Sequence, residues 1–517
     1  MNDHSRRRPL PAPTRRRTAR LALALAIAGL ATACTSSRPI TTPMLDTRNP
    51  ELKVPRRVEA ARLAWDSARQ DPDQRAKARA IFKSLVWSTQ TPRPLRLDLV
   101  RYLLDDDSPE GEADSRSFTT LRLPTEPDRE VVGMMAVAAA RNSWTEAAPS
   151  LVRRLAEPID DIPDRERVEA QALMRLEPGT PLERIVFDVF ANPDTGPAEI
   201  AWAKRVQADA WSLLSRLDPD GSTRRSLILD PGVAAMGASG PLLRDLRVAV
   251  DELGIVPDTA MELEWLRTLR DPSDSEAARN QAWWREVSSL VTTLDDGQRA
   301  GLALRHLEPI RLASHKSPRL LKATRAELIS LLAEKLEGRT RHRRTAENNG
   351  VYVATTERFE DWADELSWGD ALALSIIDDA LHAPGIVQTV FQQVELDRRD
   401  HQTEYGGVLE AVTAPDGRVG GYRMVLFPPR PRDRVSDERF ITSEDMVAYS
   451  TRGIAHYHMH VQKPKNYDYA GPSVGDSRNA RLSGRNCLVF TSISDDRLDI
   501  DYYQPDGVVI DLGEIAR

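Results

Sequence analysis

The apolar residues of this chain keep two different periods, and the change from one to the other divides what it can fold into. Between about 55 and 337 they recur at three- and four-residue spacings, as in Leu151 and Leu155, then Val168, Ala172, Leu173 and Leu176. That is the stripe one face of an α-helix buries. Pro158, Pro178-Gly179, Pro219 with Gly221, and Asp271-Pro272 interrupt the runs, which predicts short helices joined by tight connections. Beyond 350 alternation takes over. Leu498-Asp499-Ile500-Asp501-Tyr502 predicts a half-buried strand, Pro505-Asp506-Gly507 a turn, and Val508-Val509-Ile510 the returning strand. Composition changes at the same place: all ten Trp lie at or before Trp368, whereas three of the nine His fall between 456 and 460. At 517 residues the chain exceeds one core of about 150 residues. The expected architecture is therefore multidomain, an α-helical domain over 55–337 followed by an α+β domain over 351–517. The basic cluster Arg339, Arg341, Arg343 and Arg344 and the polar Asn348-Asn349-Gly350 predict a solvated linker at 338–350.

The helical part is either an irregular bundle or an array of paired helices; the segment 147–179 loosely resembles HEAT-type pairs, whose surface would offer a place for a protein partner. The Trp283-Trp284 pair is expected to pack in the core. At the N-terminus, Arg6, Arg7, Arg8, Arg15, Arg16, Arg17 and Arg20 precede an uncharged apolar run over 21–33, the architecture of an export signal. The run is short for a membrane span, which needs about 20 residues. Ala31-Thr32-Ala33-Cys34 resembles a lipobox. That resemblance implies a signal peptide over 1–33, lipidation of Cys34 and a lipid anchor in the cell envelope. With Thr35 following the cysteine, the anchor is expected in the outer membrane, facing the periplasm. Residues 34–54, rich in Ser, Thr, Pro and Asn, are expected to form a tether. Cys487, the only other cysteine, is left without a disulfide partner and is expected as a small buried hydrophobe.

A net charge of -7 with 29% charged residues excludes a nucleic-acid binder that holds phosphates by bulk basicity. The chemistry concentrates instead in His456-Tyr457-His458-Met459-His460. On a strand, alternate side chains share a face, so His458 and His460 project together and can share one cation. Neutral imidazole suits Zn²⁺, and a catalytic zinc takes three protein ligands with one position left open. Downstream, Ser473 and Asp476 stand three apart in Gly471-Pro472-Ser473-Val474-Gly475-Asp476, a spacing that by itself describes a helix capping box. Upstream, Glu404-Tyr405-Gly406-Gly407-Val408 sets a carboxylate before a Gly pair and a strand start.

Taken in order, Glu, then His-x-His, then Ser-x-x-Asp resembles the JAMM (MPN-type) zinc metallopeptidases, over roughly 350–517. The resemblance implies an α+β fold with a mixed β-sheet. It implies zinc held by His458, His460 and Asp476, with Glu404 as general base and acid and Ser473 stabilising the oxyanion. The reaction implied is hydrolysis of a peptide or isopeptide bond in a peptide or protein substrate. Two departures stand out. Val461 occupies the place where the family usually has Pro, and twelve residues separate His460 from Ser473, a longer interval than the family usually shows. Asp468, within that insert, is a rival third ligand. His456 is expected as a buried histidine outside the ligand set, and His401 as a loop residue. The other function the sequence allows is a helical scaffold lipoprotein whose JAMM-like domain binds without catalysis.

Overall fold

The structure, a computed structural model, describes residues 39–193, 200–232, 240–342, 357–414 and 418–517. The expected signal peptide and Cys34 lie outside the described residues. No helix among the described residues is long and apolar enough to cross a membrane. The chain forms two compact units, one ending at Gly111 and one beginning at Glu112.

In the first unit, helices Val54–Ala68, Pro72–Trp87 and Arg93–Leu104 pack around Trp65, Phe82 and Tyr102, whose ring centroids stand 5.8 to 6.0 Å apart. Asp71 caps the second of these helices by accepting from the amides of Asp73 and Gln74. The stretch expected as a tether is in part ordered: Pro43–Arg48 forms a short helix. The Arg57 guanidinium reaches it, donating to Thr47 O at 3.0 Å, and the buried Thr47 backbone has no water to turn to.

The second unit begins with the expected helices. Ala148–Ala156 buries Leu151 and Leu155, the residues whose spacing announced it, together with Val152. Polar side chains tie the helices together inside. Arg167, wholly buried, donates to the carbonyls of Arg154, Leu155 and Glu157 and to Glu169. Glu169 also accepts two bonds from Arg129, at 2.6 and 3.0 Å. Trp283 and Trp284 are buried as expected, their indole N–H groups donating to Glu308 and Glu252 at 2.6 and 2.7 Å. The start of the stretch expected as a solvated linker is anchored instead. Arg339 donates to Asp378 and to Leu512 O at 2.6 and 2.9 Å, and the His342 amide donates to Asp511 at 2.8 Å. Asp378 is buried, and a buried carboxylate demands such a partner.

The C-terminal part is a mixed six-stranded sheet, β1 Gly406–Thr413, β2 Val419–Leu426, β3 Ala455–His460, β4 Cys487–Ser494, β5 Arg497–Tyr503 and β6 Val509–Ala516. They lie in the order β2-β1-β3-β4-β5-β6. Every neighbouring pair is antiparallel except β3 with β4, which are parallel and joined by a crossover through helix Val474–Ser483. Register partners share a face. One face therefore carries His456, His458 and His460 on β3, Cys487, Val489 and Thr491 on β4, and Tyr503, Asp501 and Asp499 on β5. Ala480 of the crossover helix packs on it with Cys487, Val489 and Tyr503. On the other face the Tyr457 hydroxyl donates to Gln393 of helix Ile386–Asp397 at 2.6 Å. With both faces covered, β5 is buried from Leu498 to Tyr503 and not half-buried as alternation predicted. Cys487 is a free, buried thiol, pushed up to about 12 by burial.

Candidate metal centre

Two glycines bring the site's strands together. A Cβ on Gly406 would lie 2.4 Å from Tyr457 O, and one on Gly407 only 2.0 Å from Val425 O. Neither position accepts a side chain, and β1 closes against β3 with Gly406 opposite His458. Glu404, two residues before β1, thereby arrives beside His460 at the end of β3, its Oε1 3.9 Å from His460 Nε2.

The two histidines converge as alternation predicts, His458 Nε2 and His460 Nε2 standing 3.2 Å apart. The third group comes from the crossover. Ser473 begins helix Val474–Ser483 with a capping box, its Oγ accepting from the Asp476 amide and Asp476 Oδ2 accepting from the Ser473 amide at 2.7 Å. The cap aims that same Oδ2 at the rings, 3.3 Å from His458 Nε2 and 3.6 Å from His460 Nε2. One Ser-x-x-Asp turn thus both caps the helix and brings its carboxylate to the two rings.

These separations test the fit of a metal. Donor atoms bound to one tetrahedral zinc at 2.0–2.1 Å stand about 3.3 Å from one another, and the three atoms here are 3.2, 3.3 and 3.6 Å apart. His460 Nδ1 meets Tyr469 O at 3.2 Å; a proton donated there leaves Nε2 of the neutral ring with its lone pair facing the site. His458 Nδ1 lies 3.4 Å from the Tyr503 hydroxyl, and Phe440 stacks on the same ring at 6.0 Å between centroids. The three atoms are thus spaced as the donors of one tetrahedral metal ion would be.

Electrostatics separate the two carboxylates. Burial raises the Asp476 carboxyl, but the imidazoles of His458 and His460 outweigh it and hold the group well below the usual carboxylate range. Burial pushes Glu404 up to about 8, against the pull of His460 and with the charges of Asp476 and Asp397 adding to it. One carboxylate is set to stay charged and the other to exchange a proton near neutral pH.

Three contributors carry no signal in the sequence. Gln462 donates its amide to Glu404 Oε1 at 2.6 Å, and Asn466 donates to Gln462 Oε1 and to His460 O at 3.0 and 3.1 Å. With Tyr469 O, these residues make the loop after His460 a clamp on the site. Asp468 is exposed on the turn Tyr467–Tyr469, and the oxygen that meets both rings belongs to Asp476. Val461 is buried, and its carbonyl accepts from Arg398 at 3.1 Å. His456 is buried with no hydrogen-bond partner on either ring nitrogen; burial and then Arg485 hold it well below the usual histidine range. His401 is exposed and pairs with Asp437 at 3.4 Å. The site opens into a cleft of about 820 Å³, whose lining includes residues 437–442, Ser473, Arg478 and Asn479. Comparison with known protein families, curated proteins and solved structures found no match for this chain.

Proposed function

We propose that the C-terminal part of this chain is a zinc-dependent hydrolase of peptide or isopeptide bonds, with the arrangement of a JAMM-type metallopeptidase. The observation that carries the proposal is the meeting of two imidazole nitrogens and one carboxylate oxygen within 3.6 Å, beside a second carboxylate, in an open cleft. When bound, zinc supplies Lewis acidity and lowers the pKa of water towards about 7.

The chain's own residues supply the rest. Glu404 Oε1, steadied by the Gln462 amide, takes the proton of the attacking water and returns it to the departing amine nitrogen. A carboxylate whose affinity for a proton lies near neutrality can do both. Ser473 Oγ accepts from the Asp476 amide, which leaves its own proton free to be donated to the carbonyl oxygen as negative charge develops there. One such bond contributes about 3 kcal/mol in comparable sites. The cleft volume lies in the range of ligand sites, about 300–1,000 Å³.

Metal analysis of the purified chain tests the centre: about one zinc per chain is expected, lost in His458→Ala. Glu404→Gln is expected to retain the zinc and lose peptidase activity by at least about a hundredfold. Equal metal in wild type and His458→Ala removes the centre. Undiminished turnover in Glu404→Gln removes the base.

A further inference from the structure

On the face that carries the histidines, one strand beyond β4, three more carboxylates meet. Asp499 and Asp501 project from β5 two residues apart, and Asp511 stands on β6 in register with Asp501. One carboxylate oxygen from each lies within 4.8 Å of the others, and all three residues are buried. Asp499 is 0% exposed, and neither of its oxygens has a hydrogen-bond partner. Its register partner on β4, Thr491, is equally buried, and the Thr491 hydroxyl is unpartnered as well. Side by side on the sheet, these two groups do not bond to each other. Asp511 receives the amides of Gly513 and His342 at 2.7 and 2.8 Å, one bond to each oxygen, and each oxygen keeps a second lone pair. Nearby Glu514 is already engaged with His342 and Arg497.

A fully buried carboxylate without hydrogen bond is among the most costly groups a protein interior can hold. Asp499 is such a group, with Asp501 and Asp511 beside it, and burial together with Asp511, Glu357 and Glu514 pushes it up to about 9. We infer that Asp499, Asp501 and Asp511, with the Thr491 hydroxyl, form a second cation site for a hard divalent ion of the calcium and magnesium class. The donors are all oxygen, with neither imidazole nor thiolate, which selects hard cations over zinc. The site also bears on the first. Gly471, at φ +81, lies so close that a Cβ there would be 2.9 Å from Glu357 Oε1 and 3.8 Å from Asp501 Cγ. The turn that leads into Ser473 and Asp476 therefore rests against this acidic cluster, and an ion within it braces that turn.

The test uses the full chain, freed of metal by a chelator, with its thermal midpoint followed as CaCl₂, MgCl₂ or ZnCl₂ is added to about 1 mM, a concentration that saturates moderate oxygen-ligand sites. Calcium or magnesium is expected to raise the midpoint by a few degrees in wild type and equally in the His458→Ala/His460→Ala double variant. The rise is expected to vanish in Asp499→Asn, and zinc is not expected to reproduce it in the double variant. Which of the two ions gives the larger rise identifies the preferred one. No rise with either ion in the double variant overturns the proposal, as does an undiminished rise in Asp499→Asn. Should Asp499→Asn fail to fold, the metal content of the double variant decides. Retained calcium or magnesium near one equivalent supports the site, and none after equilibration with both overturns it. The histidine centre stands or falls separately, on the zinc content of His458→Ala.

Discussion

Glu169 is buried against two guanidinium groups, and its titration sets how the helical region responds to acid. Burial raises its carboxyl, but Arg129 and Arg167 prevail and hold it at about 2, below its ordinary 4.5. A folded-state value below the unfolded one stabilises fully above the unfolded value, and the contribution is lost as pH falls towards the folded value. The window is therefore between about 4.5 and 2. Glu169→Gln is expected to lower the denaturation midpoint at pH 7 by the equivalent of about 3 kcal/mol, the cost of leaving a buried charge unpaired. Its gap to wild type is expected to narrow by pH 3, and a constant gap counts against the assignment. Single residues differ in how far the sequence reveals them. His458 and His460 were legible because a strand's alternation decides which side chains share a face. Asp476 became legible only through the order of the JAMM motifs, since Ser-x-x-Asp alone describes a cap. Gln462 and Asn466 were not legible: an amide that bonds a buried carboxylate looks like any loop amide. Asp499 and Asp501 were taken for the exposed side of a half-buried strand, because an alternating pattern does not say whether the polar side meets water or a second layer.

At the scale of the element, helix Val474–Ser483 does two tasks through one turn. Its cap satisfies two amides at the helix start and holds the carboxylate in the cleft. Ser473→Ala removes an accepting oxygen and is expected to cost about 1 kcal/mol of stability. It should also lower turnover by roughly a hundredfold, and Ser473→Thr is expected to restore much of both. Thermal midpoints and initial rates on a model peptide separate the two effects. A variant that loses stability but keeps its rate leaves Ser473 a cap and nothing more. Among elements, the helices between 55 and 337 and the β5 to β6 turn at Pro505-Asp506-Gly507 followed from period and turn chemistry. The short helix Pro43–Arg48 did not, because six residues with a single Leu and Met carry too little periodicity to outweigh their polar neighbours.

At the scale of the second unit, helices and sheet are joined by specific bonds. The Trp265 indole, on helix Ala260–Arg270, donates to Thr451 O at 2.8 Å, and the Arg485 guanidinium lies over that ring at 3.8 Å. Asn486 donates to Arg305 O at 3.1 Å and to Ile454 O at 3.3 Å, tying the helical region to the entry of β3. Trp265→Ala is expected to cost about 3–5 kcal/mol and to raise amide exchange in helix Ala260–Arg270 and in β3 together. Loosening of the helix alone shows that the two open independently. The division into helical and mixed parts was legible from the change of period, but this joint was not. Trp265 and Thr451 are far apart in sequence, and each reads locally as an ordinary member of its own element.

The one parallel pair in the sheet explains how a long segment between His460 and Ser473 leaves the candidate centre assembled. Chains that run from β3 to β4 in the same direction must travel back over the sheet, and here they do so through a helix seated by Ala480 on Cys487, Val489 and Tyr503. The first turn of that helix is located by its seat and not by the length of chain that feeds it, so Asp476 reaches the two rings whatever path the segment before it takes. Architecture of this kind separates the part of a protein that must hold still from the part that is free to make other contacts, and residues 462–470 make theirs with Glu404 and His460.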